Sequence, residues 1–317
     1  MAVQTLPIKS FLKPRYWPIW ILFGLMRLLA ALPYPWAMRV GRVIGKVMMM
    51  AFKRRRDIAQ VNLSLCFPEL SGSERRYLLR KHFTSLGMGA VETALCWWAS
   101  HEKLFSLGHL EGREHLQAAL RQGNGVILLS AHFTALEIGT TLLALNVPIC
   151  AVYRTHRNPL FEALTQRARA GYARRAIPAR DMKAMLRALK DNLPVWFAPD
   201  QDFGRKHSIF VPFFGQPAAS LTATSRLAKL SKAAVVPFFS QRMEDGSGYR
   251  LVLHPALENF PSKNIETDTR RINQIIEAEV RRYPEHYLWV HRRFKSRPDG
   301  SPGPYAEYRR RKRPRVR

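Results

Sequence analysis

Only three of the 317 residues are cysteine, Cys66, Cys96 and Cys150, and no two of them form a CxxC pair. That excludes a disulfide scaffold and a zinc-ribbon framework and fits a reducing compartment. Acidic residues are also scarce. There are 23 Asp and Glu against 51 Lys and Arg, a formal net charge of +28. Several catalytic signatures are missing: there is no GxSxG, no Walker A loop and no HExxH, and Gly123-Asn-Gly125 lacks the third glycine of a dinucleotide fingerprint. Serine-hydrolase, P-loop, zincin and dinucleotide-binding chemistry lose their main support, and no cofactor or resident metal is expected. No internal repeat is visible.

What is present begins with 47% hydrophobic residues, enough to exclude a disordered chain and to fill a core. The positive charge sits at the two ends. Residues 1–56 hold eleven Lys/Arg and no acidic residue, and residues 291–317 hold eleven against Asp299 and Glu307. The stretch 57–290 carries only +8. Basic ends of this kind attract a polyanion: nucleic acid, an anionic membrane or an acidic protein.

Near the N-terminus an apolar run spans Tyr16 to Met38, 23 residues broken by one charge, Arg27. A membrane-spanning helix needs about 20 such residues. Pro33 and Pro35 are expected to stop the helix near Leu32, so a helix over 14–32 is only just long enough to span. Tyr16, Trp17, Trp20, Tyr34 and Trp36 flank it as interfacial aromatics do. No small-x-small cleavage site follows, which argues against a signal peptide. The expectation is therefore a membrane anchor over 1–38. An in-plane interfacial helix and a buried first helix of a soluble domain remain the alternatives. If the segment spans, three basic residues before it and seven after it place the body of the protein in the cytoplasm.

Ser71-Gly-Ser-Glu74 has capping-box spacing and opens a long amphipathic helix reaching about Trp98. From residue 124 the texture alternates. Short β-rich runs (126–130, 149–153, 195–198, 235–240, 249–253) are interleaved with helical patterns (134–145, 159–171, 181–192, 220–231, 267–282). This predicts an α/β fold, a central sheet with helices on its faces.

The chemistry concentrates in Gly125-VILLSA-His132-FTAL-Glu137. His132 falls just after a strand and just before a helix, the corner where open α/β sheets place ligands. A histidine there can serve as a general base near neutral pH, a nearby carboxylate can orient it, and the amides of the helix start can meet an oxyanion. The competing reading is structural: Thr134-Ala-Leu-Glu137 is itself a capping box, which would leave Glu137 satisfying backbone amides. Arg154 follows a strand and suits either a phosphate or a surface ion pair. Asp200 and Asp202 follow another strand. They suit substrate positioning or pairing with Arg205 and Lys206, with a Mg²⁺ site the weaker reading. His291-Arg292-Arg293 suits anionic headgroups or a solvated basic face.

His132-x4-Glu137 at a strand-to-helix corner resembles the signature of the lysophospholipid acyltransferase superfamily. The wider pattern resembles the late, lauroyl-type acyltransferases of lipid A biosynthesis. It includes Pro14-Arg15-Tyr16-Trp17, Asn62-Leu63 with Cys66-Phe67-Pro68-Glu69, and Gly87-Met88-Gly89 with Glu92. It continues through Val152-Tyr153-Arg154 with Asn158-Pro159-Leu160, Ala198-Pro199-Asp200 with Asp202, and Trp289 with His291-Arg292-Arg293-Phe294-Lys295. The resemblance covers about residues 14–298. It implies a mixed central sheet flanked by helices, like that of the glycerolipid acyltransferases. With the N-terminal apolar run it divides the chain into an anchor over 1–38 and an acyltransferase domain over 39–304, leaving a basic tail over 305–317 outside the resemblance. The implied reaction moves a lauroyl or similar chain from acyl-acyl carrier protein to a hydroxyl of a 3-hydroxyacyl chain on Kdo-bearing lipid IV(A). In it His132 is the general base, Glu137 orients it, and Arg169, Arg154, Asn158, Asp200 and Asp202 contact substrate. The implied partners are acyl-acyl carrier protein, the lipid A precursor and an anionic inner-membrane surface. The implied location is the bacterial inner membrane, single-pass, with the catalytic domain facing the cytoplasm. A different glycolipid or lysophospholipid acceptor is the neighbouring alternative. The arginine-rich tail Arg309–Arg313 also suits nucleic acid. That reading is the weaker one, because no recognition helix or RNP-type motif accompanies the tail.

Overall fold

The computed structural model describes residues 11–156 and 158–305, so the expected tail beyond Tyr305 lies outside the described residues. Five helices come first: α1 (Trp17–Ala31), α2 (Tyr34–Ala51), α3 (Lys53–Cys66), α4 (Gly72–Trp98) and α5 (His101–Phe105). The alternating part follows as β1 (Gly108–Glu111), α6 (Arg113–Leu120), β2 (Val126–Leu129), α7 (Leu136–Asn146), β3 (Cys150–Tyr153), α8 (Pro159–Ala170), β4 (Arg175–Pro178), α9 (Met182–Lys190) and β5 (Pro194–Phe197). A hairpin of β6 (Ser208–Phe213) and β7 (Gln216–Leu221) precedes α10 (Ala223–Ser231), β8 (Ala234–Arg242), β9 (Tyr249–Leu253) and α11 (Ile265–Arg282).

Seven strands form one sheet in the order β1-β9-β8-β2-β5-β3-β4. Every neighbouring pair is parallel except β8 and β9, which run antiparallel. The expected mixed sheet flanked by helices is what forms. Its central strands β2 and β5 are buried at every position, which explains their unbroken apolar sequences. Side-chain alternation divides the core. Ile127, Leu129, Val195 and Phe197 join α3, α9, α10 and α11 on one face. Val126, Leu128 and Trp196 join α6 and α7 on the other. Helix α4 contributes to both clusters, through Leu79 and Phe83 and then through Val91 and Leu95. Its N-terminus closes as the predicted capping box: Glu74 N–H donates to Ser71 Oγ at 3.3 Å and Ser71 N–H donates to Glu74 Oε2 at 2.7 Å.

The expected membrane-spanning segment is corrected. Among the described residues no helix is long and apolar enough to cross a membrane. Helix α1 has 15 residues, about 22 Å at 1.5 Å per residue, against a hydrocarbon core of about 30 Å. Pro33 and Pro35 do end α1, but they also open α2, where proline in the first turn is favoured. The chain starts a second helix instead of continuing the first, and α2 carries Arg39, Arg42 and Lys46. Helix α1 packs on α4, with Phe23 stacked 5.5 Å from Trp97 and 5.6 Å from Phe161. The single-pass inner-membrane placement, and the orientation drawn from flanking charges, fall with the span.

Candidate active site

Strands β2 and β5 are parallel neighbours with Leu129 opposite Phe197. His132 and Asp200 each stand three residues beyond that pair. The sheet therefore delivers both side chains to the same place at its carboxyl edge. His132 N–H donates to Asp200 Oδ2 at 3.1 Å, and Nδ1 lies 2.6 Å from Asp200 Oδ1. An ionised carboxylate can only accept, so the Nδ1 proton is in this bond, and in the neutral ring Nε2 carries the lone pair. Asp200 is 2% exposed at its side chain and His132 27%. Burial alone would raise the Asp200 pKa. The His132 ring with its hydrogen bonds, and the Arg293 guanidinium, outweigh burial and hold it at about 2. Burial and the nearby charge of Asp200 raise the pKa of the Tyr287 hydroxyl.

The turn after His132 is strapped by the segment following α11. Leu288 N–H donates to His132 O at 2.9 Å and Thr134 N–H to His286 O at 2.7 Å. Phe133 and Tyr287 pair as an isolated bridge. Because the amides of Thr134 and Leu136 already donate to His286 O and Phe133 O, neither is left for an oxyanion. The strap is anchored by Asn62, whose Nδ2 donates to Trp289 O at 2.6 Å and His291 O at 2.7 Å. Beside it opens an apolar cleft of about 380 Å³ walled by Met48, Phe83, Leu86, Leu288 and Val290, with Arg55 and His291 at its polar side. Burial holds the His291 pKa down to about 4.

Glu137 is not the partner of His132. Its Oε2 accepts from Arg169 Nη2 at 3.1 Å and its Oε1 from the Tyr172 hydroxyl at 2.9 Å. The local-cap alternative does not form either. The α7 cap residue is Ala135, without a side-chain cap bond, and the Thr134 hydroxyl turns to Ser85 and Arg242. Arg169 lies over the Tyr153 ring at 5.1 Å. Its Nη1 is buried with no hydrogen-bond partner among the described residues.

The remaining expected residues are dispersed. Arg154 is exposed. Asn158 caps α8, its Oδ1 accepting from Leu160 N–H at 3.1 Å and Phe161 N–H at 3.2 Å. Asp202 holds Gly204 N–H at 2.8 Å and Ser296 N–H at 2.7 Å, and its Oδ1 lies 3.6 Å from Lys295 Nζ. It thus ties the C-terminal segment down, and its cation neighbour is Lys295 in place of the expected Arg205 or Lys206. Arg293 is 1% exposed, not a solvated base, with its guanidinium on Ala219 O, Ser220 Oγ and the Phe213 ring. Sequence reasoning did not single out Tyr287. It treated Asp200 as a substrate contact, although its offset from an apolar strand end matches that of His132.

A mostly parallel α/β sheet with a carboxylate-bound histidine at its carboxyl edge has the arrangement of an enzyme able to take a proton from a hydroxyl. The comparisons make the class specific. The chain belongs to the bacterial lipid A biosynthesis acyltransferase family, whose model matches residues 7–296, and it is therefore an acyltransferase of lipid A biosynthesis. It is 39% identical over 297 residues to a lipid A biosynthesis lauroyltransferase of Escherichia coli strain K12, covering 93% of this chain and 97% of that protein. Over 298 residues it is 40% identical to the palmitoleoyltransferase of the same strain, covering 94% and 97%. A myristoyltransferase of that strain is 32% identical over 305 residues, covering 94% and 93%.

Proposed function

We propose that the protein transfers a fatty acyl chain from acyl-acyl carrier protein to a hydroxyl of a 3-hydroxyacyl chain on a Kdo-bearing lipid A precursor, with His132 as general base and Asp200 orienting it. The observation that carries this reading is the 2.6 Å contact between His132 Nδ1 and Asp200 Oδ1, which commits Nδ1 to the carboxylate and turns Nε2 to the acceptor. His132 Nε2 takes the proton of the acceptor hydroxyl. The oxygen attacks the thioester carbonyl, an ester C–O bond forms, the C–S bond breaks, and the imidazolium returns the proton to the departing thiolate. Asp200 stabilises the imidazolium without itself becoming protonated. Arg169, held by Glu137, is the family-implied contact for the developing oxyanion or a precursor phosphate. The apolar cleft beside Leu288 takes acyl chain. The names of the relatives support a fatty acyl donor and a lipid A acceptor.

The basic surface suits both partners, because acyl carrier protein is acidic and the precursor carries phosphates and carboxylates. The exposed apolar stripes of α1 and α2 suit docking onto an anionic lipid surface in the plane of its headgroups. The test is mass spectrometry of the lipid products formed with a panel of acyl-acyl carrier protein thioesters, by the wild type and by His132→Ala. An added fatty ester on the precursor, lost in His132→Ala, is the expected outcome. Equal product from both proteins would sink the mechanism, and no product from any of the acyl-acyl carrier protein thioesters would sink the donor.

A further inference from the structure

Beneath the His132 turn lies a second polar cluster that the reaction as written does not use. Glu92 on α4 and Arg242 at the end of β8 are 1% and 9% exposed. Arg242 Nε donates to Glu92 Oε1 at 2.5 Å and Nη2 to Glu92 Oε2 at 2.8 Å, a two-point fork. The other side of the guanidinium reaches Ser85 Oγ at 2.5 Å and Thr134 Oγ1 at 3.0 Å through Nη1, and Ser85 O at 3.2 Å through Nη2. Tyr249 adds a hydroxyl bond to Glu92 Oε1 at 2.7 Å, and Ser85 Oγ and Thr134 Oγ1 lie 2.6 Å apart. All five N–H groups of Arg242 are thereby placed.

We propose that the Arg242–Glu92 pair is a positioning device for the catalytic turn, acting on His132 through the Thr134 hydroxyl. A buried ion pair is weak evidence for stability, since apolar residues of the same volume often serve the fold as well or better. A rigid guanidinium fork does fix direction. This one ties α4, the end of β8 and the residue two positions after His132 into one unit. The backbone repeats the same link. Thr134 O lies so close to Gly89 on α4 that a Cβ there would come within 2.4 Å of it. The proposal rests on the reading of His132 as the base. It adds that the base is held in place from below the sheet edge as well as from Asp200.

Thr134→Val removes the hydroxyl while leaving the Arg242–Glu92–Ser85 bonds intact. The expected result is kcat lowered about 10- to 100-fold, the scale of a sub-ångström to ångström misplacement, with KM within about threefold of wild type and a folded protein by circular dichroism. Thr134→Ser, which keeps the hydroxyl, restores kcat to within about threefold. Arg242→Lys, which keeps the charge but not the fork, lowers kcat as Thr134→Val does. Wild-type kcat in folded Thr134→Val overturns the proposal, as does a Thr134→Ser as slow as Thr134→Val. If Thr134→Val does not fold, the Thr134→Ala and Thr134→Ser pair decides on the same criterion. His132→Ala is run alongside. Loss of turnover there with Thr134→Val unaffected removes only the positioning role, whereas retained turnover in His132→Ala removes the base assignment beneath it.

Discussion

At the residue scale, the roles of His132 and Asp200 separate by substitution. His132→Ala is expected to lower kcat by about 10² or more, the usual weight of a general base. Asp200→Asn keeps the shape but offers an amide that can donate to Nδ1, which favours the tautomer protonated at Nε2. Its expected loss is about 10²- to 10³-fold in kcat with little change in KM. Steady-state kinetics on the precursor checks both, and an active Asp200→Asn would show that the tautomer is not set there. Glu137→Ala tests a different function. It leaves the half-buried Arg169 cation unpaired, so melting temperature should fall by the equivalent of about 1–3 kcal/mol, and KM should rise more than kcat falls. The strand-to-helix corner and the family resemblance marked His132 in the sequence, and the resemblance gave Glu137 as the group that orients it. The true partner lies 68 residues away in sequence. It is reached because β5 pairs with β2 while β3 and β4 lie beyond it, and strand order is a property of the sheet that no local pattern carries.

At the element scale, the alternating strands and helices after residue 124 were readable because their burial repeats within a few residues. In the helical layer before them α1 and α4 were readable, but α2 was not, because Pro33 and Pro35 both stop one helix and start the next. What holds that layer together is a crossing without side chains. A Cβ at Gly87 on α4 would lie 2.2 Å from Gly45 N and 2.3 Å from Gly41 O on α2. Gly87→Ala must therefore force the two helices apart, with an expected cost of about 1–3 kcal/mol, read as a lower midpoint in denaturant. Gly24→Ala on α1, where an added Cβ meets nothing, serves as the control. A second prediction belongs to the junction of α4 with the strap that holds the His132 turn. Burial lowers the His82 pKa from 6.5 to about 4 and the His286 pKa from 6.5 to about 3. For His286 the positive charges of Arg242, His82 and Lys81 push the same way. Both folded values lie below the unfolded one, so the unfolded chain binds more protons between about pH 3 and 6.5. Stability from these residues is complete above pH 6.5 and is lost as pH falls towards 4 and then 3. For His82 the full effect is on the order of 3 kcal/mol. Denaturant unfolding across pH 4–7 should show this decline, and His82→Gln should flatten it.

At the scale of the whole molecule, the proposed docking onto an anionic lipid surface draws on the +28 charge and the first two helices together. Along α1 the exposed residues Trp17, Ile21, Leu25 and Leu28 recur at helical spacing, while Phe23 and Ala30 on the opposite side are buried. Along α2 Trp36, Val43, Val47 and Met50 repeat the pattern, with exposed Arg39, Arg42 and Lys46 beside them. Neither helix crosses a bilayer, yet a pair of apolar stripes fringed with cations is what an anionic headgroup layer binds. Apolar insertion and charge attraction make different predictions, and each can be read separately. Vesicles containing anionic lipid should sediment the protein, and raising salt should weaken binding by screening the basic fringe. Ile21→Asp with Leu25→Asp should weaken binding at every salt concentration, because the apolar contribution does not depend on ionic strength. The same double variant should keep its turnover on detergent-dispersed precursor, since neither residue touches the His132 site, and lose turnover on precursor held in vesicles. Equal binding of wild type and variant would leave charge alone as the attraction and take the two helices out of the docking surface.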